Sequence, residues 1–177
     1  VSVIAFAQGA KETNISFVVP AQQLSKTMNL LHNSFFLNEN KVLNIFFFFF
    51  GTVGSQLIEQ ISSQYATLIT NQHLQLNIVG IANSRTYIFN AEGLDITNYR
   101  EQLLAAETKN LSDIVHQLAT LHNSIFVDCT ASEDIANIYQ MLLENNISVV
   151  TANKIAASAE YKKYELLKKT ALEHDVK

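Results

Sequence analysis

The chain has 177 residues, 48% of them hydrophobic and 16% charged, enough apolar material for a buried core and too much for a disordered tail. Its 12 Lys and Arg against 16 Asp and Glu give a net charge of -4 with neither sign gathered into a block, which argues against a nucleic-acid or polybasic membrane surface. A lone cysteine, Cys129, excludes an internal disulfide and suits a reducing, cytoplasmic setting, and no apolar run is long enough to cross a membrane. One main domain with a small addition is expected; the first eight residues lack a basic signal-peptide start, and Val1 in place of an initiator Met suggests a beginning inside a longer chain.

Two β-rich runs, 1–7 and 14–19, flank Gln8-Gly9-Ala10-Lys11-Glu12-Thr13 and predict a hairpin-like pair closed by Pro20. Leu24, Met28, Leu31 and Phe35 then recur on one helical face between Ala21 and Phe36. Asn38-Glu39-Asn40 is a polar boundary to this β-β-α piece. From Lys41 onward, strands at 42–50, 75–82, 124–128 and 147–151 alternate with helices at 54–72, within 95–121, at 132–145 and at 158–173. That alternation predicts an α/β fold, a Rossmann-like parallel sheet with helices on both faces, whose ligands gather at the carboxyl ends of the strands.

Each of those ends is chemically distinctive. The apolar run Phe46-Phe47-Phe48-Phe49-Phe50 stops at Gly51-Thr52-Val53-Gly54 and leads into a helical segment, a strand-turn-helix suited to phosphate: Gly51 and Gly54 let the backbone approach a pyrophosphate and the helix pack close to the strand. In G-x-G-x-x-G register, however, the first glycine falls on Phe49. At the second end, Ala82-Asn83-Ser84-Arg85, dinucleotide folds usually carry an acidic residue for the adenosine ribose. A neutral Asn83 removes the repulsion of a 2'-phosphate and Arg85 can pair with one, so these residues lean to NADP, with NAD still open; a solvated surface arginine is the plain alternative. Thr130-Ala131-Ser132-Glu133 fits a capping box with Thr130 as the cap and Glu133 at the third helical position, and Thr130 could also face a nicotinamide ribose. Lys154 follows a short strand near a helix start, where the dipole disfavours a cation, and so calls for an anionic or polar partner; an exposed loop lysine is the plain alternative. His32, His73, His116, His122 and His174 form no pair at metal-ligand spacing, and there is neither a serine-hydrolase elbow nor a P-loop.

Gln8 to Ser16, Gly51-Thr52-Val53-Gly54, Gly80-Ile81-Ala82-Asn83-Ser84-Arg85, Val127-Asp128-Cys129-Thr130-Ala131-Ser132 and Val150-Thr151-Ala152-Asn153-Lys154 together resemble the bifunctional aspartokinase/homoserine dehydrogenases, in order and spacing along the whole chain. The resemblance implies a partial ACT regulatory segment at 1–38 and the NAD(P)-binding domain at 41–177, with the kinase half and the substrate domain lying outside these residues. It implies reduction of aspartate semialdehyde to homoserine with NAD(P)H by the intact enzyme, a self-associating protein of amino-acid biosynthesis leading to threonine and methionine, and no turnover by this segment alone. By position, Thr52 and Val53 line the phosphate loop, Arg85 meets the 2'-phosphate, Thr130 meets the nicotinamide ribose, Lys154 sits at the reacting end, and Gln8 falls near the threonine-binding segment. The family has glycine where this chain has Phe49, which predicts a phosphate loop distorted or closed to dinucleotide. The competing expectation is therefore a structural and interaction module in which the β-β-α piece pairs with another copy and Phe49 has impaired cofactor binding. A third is another semialdehyde or hydroxy-acid dehydrogenase of the same fold.

Overall fold

The computed structural model describes residues 2–9, 14–35, 41–49, 51–106, 108, 110–158 and 160–177. The expected turn residues Ala10 to Thr13, the helix end at Phe36, the polar boundary Asn38-Glu39-Asn40 and the last residue of the phenylalanine run, Phe50, lie outside them. The chain divides into two compact units, Val1–Glu39 and Asn40–Lys177.

In the first unit, strand β1 (Ala5–Gln8) pairs antiparallel with β2 (Ile15–Val18), setting Gln8 opposite Ile15. Pro20, with its fixed φ, opens a 3-10 turn that runs into helix α1 (Leu24–Phe35). The expected apolar face of that helix is not its buried face: Leu24 and Met28 are exposed, and Thr27 is buried, its hydroxyl donating to the Gln23 carbonyl at 2.7 Å. Two four-residue strands offer too little surface to cover a 12-residue helix.

The second unit is a five-stranded sheet in the order β5-β4-β3-β6-β7. β3 (Lys41–Phe49) is central, parallel to β4 (Leu74–Ala82) and to β6 (Ser124–Cys129), and β7 (Ser148–Thr151) is parallel to β6. One strand was not foreseen. β5 (Tyr87–Phe89) adds an antiparallel edge to β4, so the sheet is mixed although mostly parallel.

The phenylalanine run is apolar throughout because both faces of β3 are covered. Phe46 and Phe48 point to the side of α4 (Leu111–Ala119), α5 (Glu133–Asn137) and α6 (Tyr139–Glu144), with the Phe46 and Phe126 rings stacked at 5.8 Å. Ile45, Phe47 and Phe49 point to the other side, against α2 (Thr52–Gln72) and α3 (Tyr99–Leu104). The single helix expected at 132–145 is two, separated at Ile138, and the break falls one residue before Tyr139. The last helix, α7 (Tyr161–Glu173), begins later than expected, so Lys154 stands on a turn rather than at a helix start.

Candidate functional site

The carboxyl ends of the parallel strands bring most of the candidate residues to one edge of the sheet. At the end of β3, Gly51 holds φ 90 and ψ -151, a conformation open essentially to glycine alone, and this lets the chain turn directly into α2. No side chain caps α2 and its first turn carries no acidic residue; Ser55 Oγ instead donates to the Gly51 carbonyl at 3.2 Å. The first backbone N-H groups, with the positive end of a 21-residue helix behind them, form a cradle suited to an anion.

Phe49 sits beside that cradle. Its ring is 7% exposed and meets Tyr99 edge-on at 6.0 Å, in space left by the missing side chain of Gly54. The ring therefore lies in the layer between sheet and helices, and a cleft of about 660 Å³ stays open, walled by Phe49, Gly51, Thr52, Asn83, Arg85 and Tyr99. Arg100, unremarked in the sequence, borders the same cleft, its Nε donating to Tyr99 Oη at 3.2 Å. A second cleft of about 530 Å³ is lined by Thr52, Val53, Cys129, Val150, Thr151 and Ala152. Thr52 is common to both, so α2 begins between them.

At the end of β4, Asn83 is occupied by the loop itself. Its Oδ1 accepts from the N-H of Arg85 at 2.7 Å and of Thr86 at 2.8 Å, a side-chain turn that sets the backbone at Arg85. Thr86 Oγ1 donates to the Leu103 carbonyl at 2.8 Å and ties this loop to α3. Ser84 and Arg85 are exposed at the cleft, and the Arg85 guanidinium has no side-chain partner among the described residues. Ala82 and Gly54 are buried and line neither cleft, Ala82 lying in the core on the α4 side.

The ends of β6 and β7 are joined by a buried polar network. Asp128 is fully buried; its Oδ1 accepts from the Thr130 N-H at 2.7 Å, and its Oδ2 from Tyr139 Oη at 2.5 Å and Asn153 Nδ2 at 3.1 Å. Tyr139 Oη lies 2.7 Å from Thr151 Oγ1, and Asn153 Nδ2 also donates to the Ser132 carbonyl at 2.9 Å. Burial, then the hydrogen bond to Asp128, push the Tyr139 hydroxyl far above its ordinary pKa, so it stays a donor. Burial first, and the Asp128 charge second, raise the Cys129 thiol, which is a packed neutral group.

Thr130 is 8% exposed and does not cap the helix in the expected way. Its hydroxyl accepts from the Ser132 N-H at 3.1 Å, and Ser132 is itself the residue preceding α5, with Glu133 the first helical residue rather than the third. The Asp128 carboxylate captures the Thr130 N-H and draws this turn toward the sheet, which moves the helix start along the chain. Lys154 is exposed on a turn bracketed by Asn153, whose Oδ1 accepts from the Ile155 N-H at 3.1 Å. Neither Thr130 nor Lys154 lines the two clefts. Gln8 is an exposed residue of β1 in the first unit. The network was missed in the sequence; the signal that could have found it is Asp128 at the end of an apolar strand, which demands buried donors, and Tyr139 and Asn153 supply them.

Among the described residues no helix is long and apolar enough to cross a membrane, and no group of His, Cys, Asp and Glu could hold a metal ion. The α2 start at Gly51 is uncapped, Arg85 has no side-chain partner among the described residues, and a cleft lies on either side of the head of α2. Residues 50–177 match the family model "Homoserine dehydrogenase, NAD binding domain", and residues 1–35 match "ACT domain". The chain is 35% identical over 168 residues to bifunctional aspartokinase/homoserine dehydrogenase 1, chloroplastic, of Zea mays, covering 93% of this chain and 18% of that protein. It is 33% identical over 174 residues to the bifunctional aspartokinase/homoserine dehydrogenase of Haemophilus influenzae, covering 97% of this chain and 21% of that protein. The fold is shared with a hyperthermophilic archaeal homoserine dehydrogenase solved with NADPH, at a TM-score of 0.56 and 27% identity over 76% of this chain and 42% of that one. The chain thus spans about a fifth of the length of the curated relatives it matches. With an NAD(P)-binding, Rossmann-like domain preceded by an ACT segment, the chain belongs to the homoserine dehydrogenase family.

Proposed function

We propose that this chain is the dinucleotide-binding part of an enzyme that reduces aspartate semialdehyde to homoserine, and that it prefers NADP. The observation that carries the reading is the uncapped start of α2 at Gly51, standing beside an Arg85 with no side-chain partner among the described residues. The bound cofactor supplies hydride. The N-H groups after Gly51, with Thr52 and Val53, would hold the pyrophosphate, and Arg85 would pair with the 2'-phosphate. Asn83, neutral and turned into its own loop, leaves that phosphate unopposed. The second cleft, between Val53 and the end of β7, would take the nicotinamide half, and Thr130, at the β6 end beside that cleft, would be the residue toward the ribose. Lys154 holds the aldehyde oxygen or the substrate carboxylate as negative charge develops.

In the same reading, residues 1–38 are part of an ACT regulatory domain that responds to threonine near Gln8, and residues 41–177 are the cofactor domain. The exposed Phe6, Ile15 and Val18 of the hairpin favour self-association of that first unit. A cytoplasmic setting agrees with the free Cys129. Isothermal titration of the chain with NADPH and NADH tests the reading. Saturable binding with NADPH the tighter ligand is expected; no binding of either cofactor would favour a purely structural module.

A further inference from the structure

The buried network at the ends of β6 and β7 has more parts than packing needs. Asp128 is fully buried and has no basic partner among the described residues, so three hydrogen-bond donors stabilise its carboxylate: Thr130 N-H, Tyr139 O-H and Asn153 N-H. A buried charge of this kind is a poor way to gain stability compared with apolar packing, but it fixes geometry, because each donor must be in place. Tyr139 completes it. Its ring belongs to the core, 3% exposed, while its hydroxyl reaches both the Asp128 carboxylate and Thr151 Oγ1.

The bonds converge on two short turns. On the β6 side, the Asp128 carboxylate holds the Thr130 N-H, and Asn153 Nδ2 holds the Ser132 carbonyl. On the β7 side, Thr151 Oγ1 accepts from the Asn153 N-H at 2.9 Å and Asn153 Oδ1 accepts from the Ile155 N-H. The backbone is therefore bonded on both sides of Lys154, and the Lys154 carbonyl itself accepts from the Ser158 N-H at 2.9 Å.

We propose that Tyr139 is a positioning residue: by bonding Asp128 and Thr151 together it locks the turns after β6 and β7 to one another and so sets where Lys154 stands. The role in catalysis rests on the functional reading above; the clamp on Lys154 does not. Tyr139→Phe removes one oxygen and keeps the ring in the core. Asp128 then loses a donor and Thr151 a partner, and the β7 turn is left tied to the β6 side by Asn153 and the Ala152 N-H.

The test labels the lysine amines of the full chain by reductive ¹³C-methylation, assigns the Lys154 signal with Lys154→Arg, and compares wild type with Tyr139→Phe by NMR. The expected result is a displaced or broadened Lys154 signal while those of Lys41 and Lys168 stay in place, with NADPH affinity changed less than about twofold because the clefts are not lined by Tyr139 or Lys154. An unmoved Lys154 signal alongside a lower melting temperature would overturn the proposal and leave Tyr139 as a packing residue. If wild type binds no NADPH the functional reading fails, and the Lys154 signal still decides the clamp. Should Tyr139→Phe not fold, Thr151→Val removes both the Tyr139 link and the acceptor of the Asn153 N-H; an unmoved Lys154 signal there overturns the clamp, and a signal that moves in Thr151→Val but not in Thr151→Ser, which keeps the hydroxyl, supports it.

Discussion

The ring of Phe49 occupies the space that Gly54 vacates by having no side chain. A Cβ built on Gly54 runs into the Phe49 ring, so the two residues are fitted to each other across the join of β3 and α2. Gly54→Ala is therefore expected to destabilise the second unit by about 1–3 kcal/mol through overpacking. Phe49→Gly removes a buried aromatic and should itself cost about 3–5 kcal/mol. Because both changes act on one space, the double variant should lose clearly less than the two single losses added together, which urea denaturation of all four proteins measures.

Phe49 also walls the cleft beside Gly51, and shrinking it opens the approach to the helix start. Phe49→Gly is expected to bind dinucleotide more tightly, measured by isothermal titration at a temperature where both proteins are folded. Equal or weaker affinity would show that the ring is a wall and no obstacle.

The proposed NADP preference gives Arg85 and Asn83 separate, testable parts. Arg85→Ala should weaken NADPH by about 1.5–3 kcal/mol and leave NADH nearly unchanged, as expected for a charge-assisted pair with a phosphate. Asn83→Asp keeps an acceptor for the N-H groups of Arg85 and Thr86, so the loop holds its shape, but adds a negative charge at the cleft. It should move preference toward NADH. Parallel titrations with both cofactors check each variant, and equal losses for Arg85→Ala would mark that residue as an ordinary surface charge.

The features legible in the sequence were those with a strong physical signature. A short apolar run ending in glycine, below the length of a typical helix, reads as a strand covered on both faces, and β3 (Lys41–Phe49) is one, with Phe46 and Phe48 to one side and Phe47 and Phe49 to the other. The clustering of the strand-end motifs followed from the parallel topology alone. What stayed hidden depended on long-range partners. Tyr87-Ile88-Phe89 is too short to announce a strand, and it forms one because the side-chain turn at Asn83 folds it back on β4. Thr130 reads as a cap on local grounds, but Asp128, two residues earlier, captures its N-H and shifts the helix start. Tyr139 looks like any aromatic in a helix until Asp128 is known to lie buried beneath its hydroxyl.

Alkaline pH should expose the same buried groups. The Cys129 thiol and the Tyr139 hydroxyl are both raised above their ordinary values of 9.0 and 10.0, so the folded chain retains protons that the unfolded chain releases. Their contribution is fully present below those ordinary values and is lost as pH rises past them, first near 9 for Cys129 and then near 10 for Tyr139. Urea denaturation between pH 8 and pH 11 should therefore show stability falling with pH, by up to about 1.4 kcal/mol per pH unit for Tyr139 in its window and by less for the half-buried Cys129, whose contribution solvent screens. Tyr139→Phe should flatten the upper part of that fall, and an equally steep decline in the variant would assign it elsewhere.

Lys154 offers the sharpest test of the chemistry. Hydride arriving at an aldehyde carbon leaves negative charge on the oxygen, and an ammonium fixed near that oxygen lowers the barrier only to the extent that it is already in place. The bonds on either side of Lys154 provide that fixed backbone, while the exposed amine is free to meet a substrate. In a homoserine dehydrogenase carrying this segment, Lys154→Ala should lower kcat/KM by two orders of magnitude or more, about 3 kcal/mol of transition-state stabilisation. NADPH affinity should change far less, because the phosphate contacts lie at Gly51 and Arg85. Lys154→Arg keeps the charge but displaces it, so a partial recovery is expected. Steady-state kinetics with aspartate semialdehyde, paired with NADPH titration, separate the outcomes: a near-normal rate in Lys154→Ala removes the residue from the reaction, and a parallel loss of cofactor affinity makes it a binding residue instead.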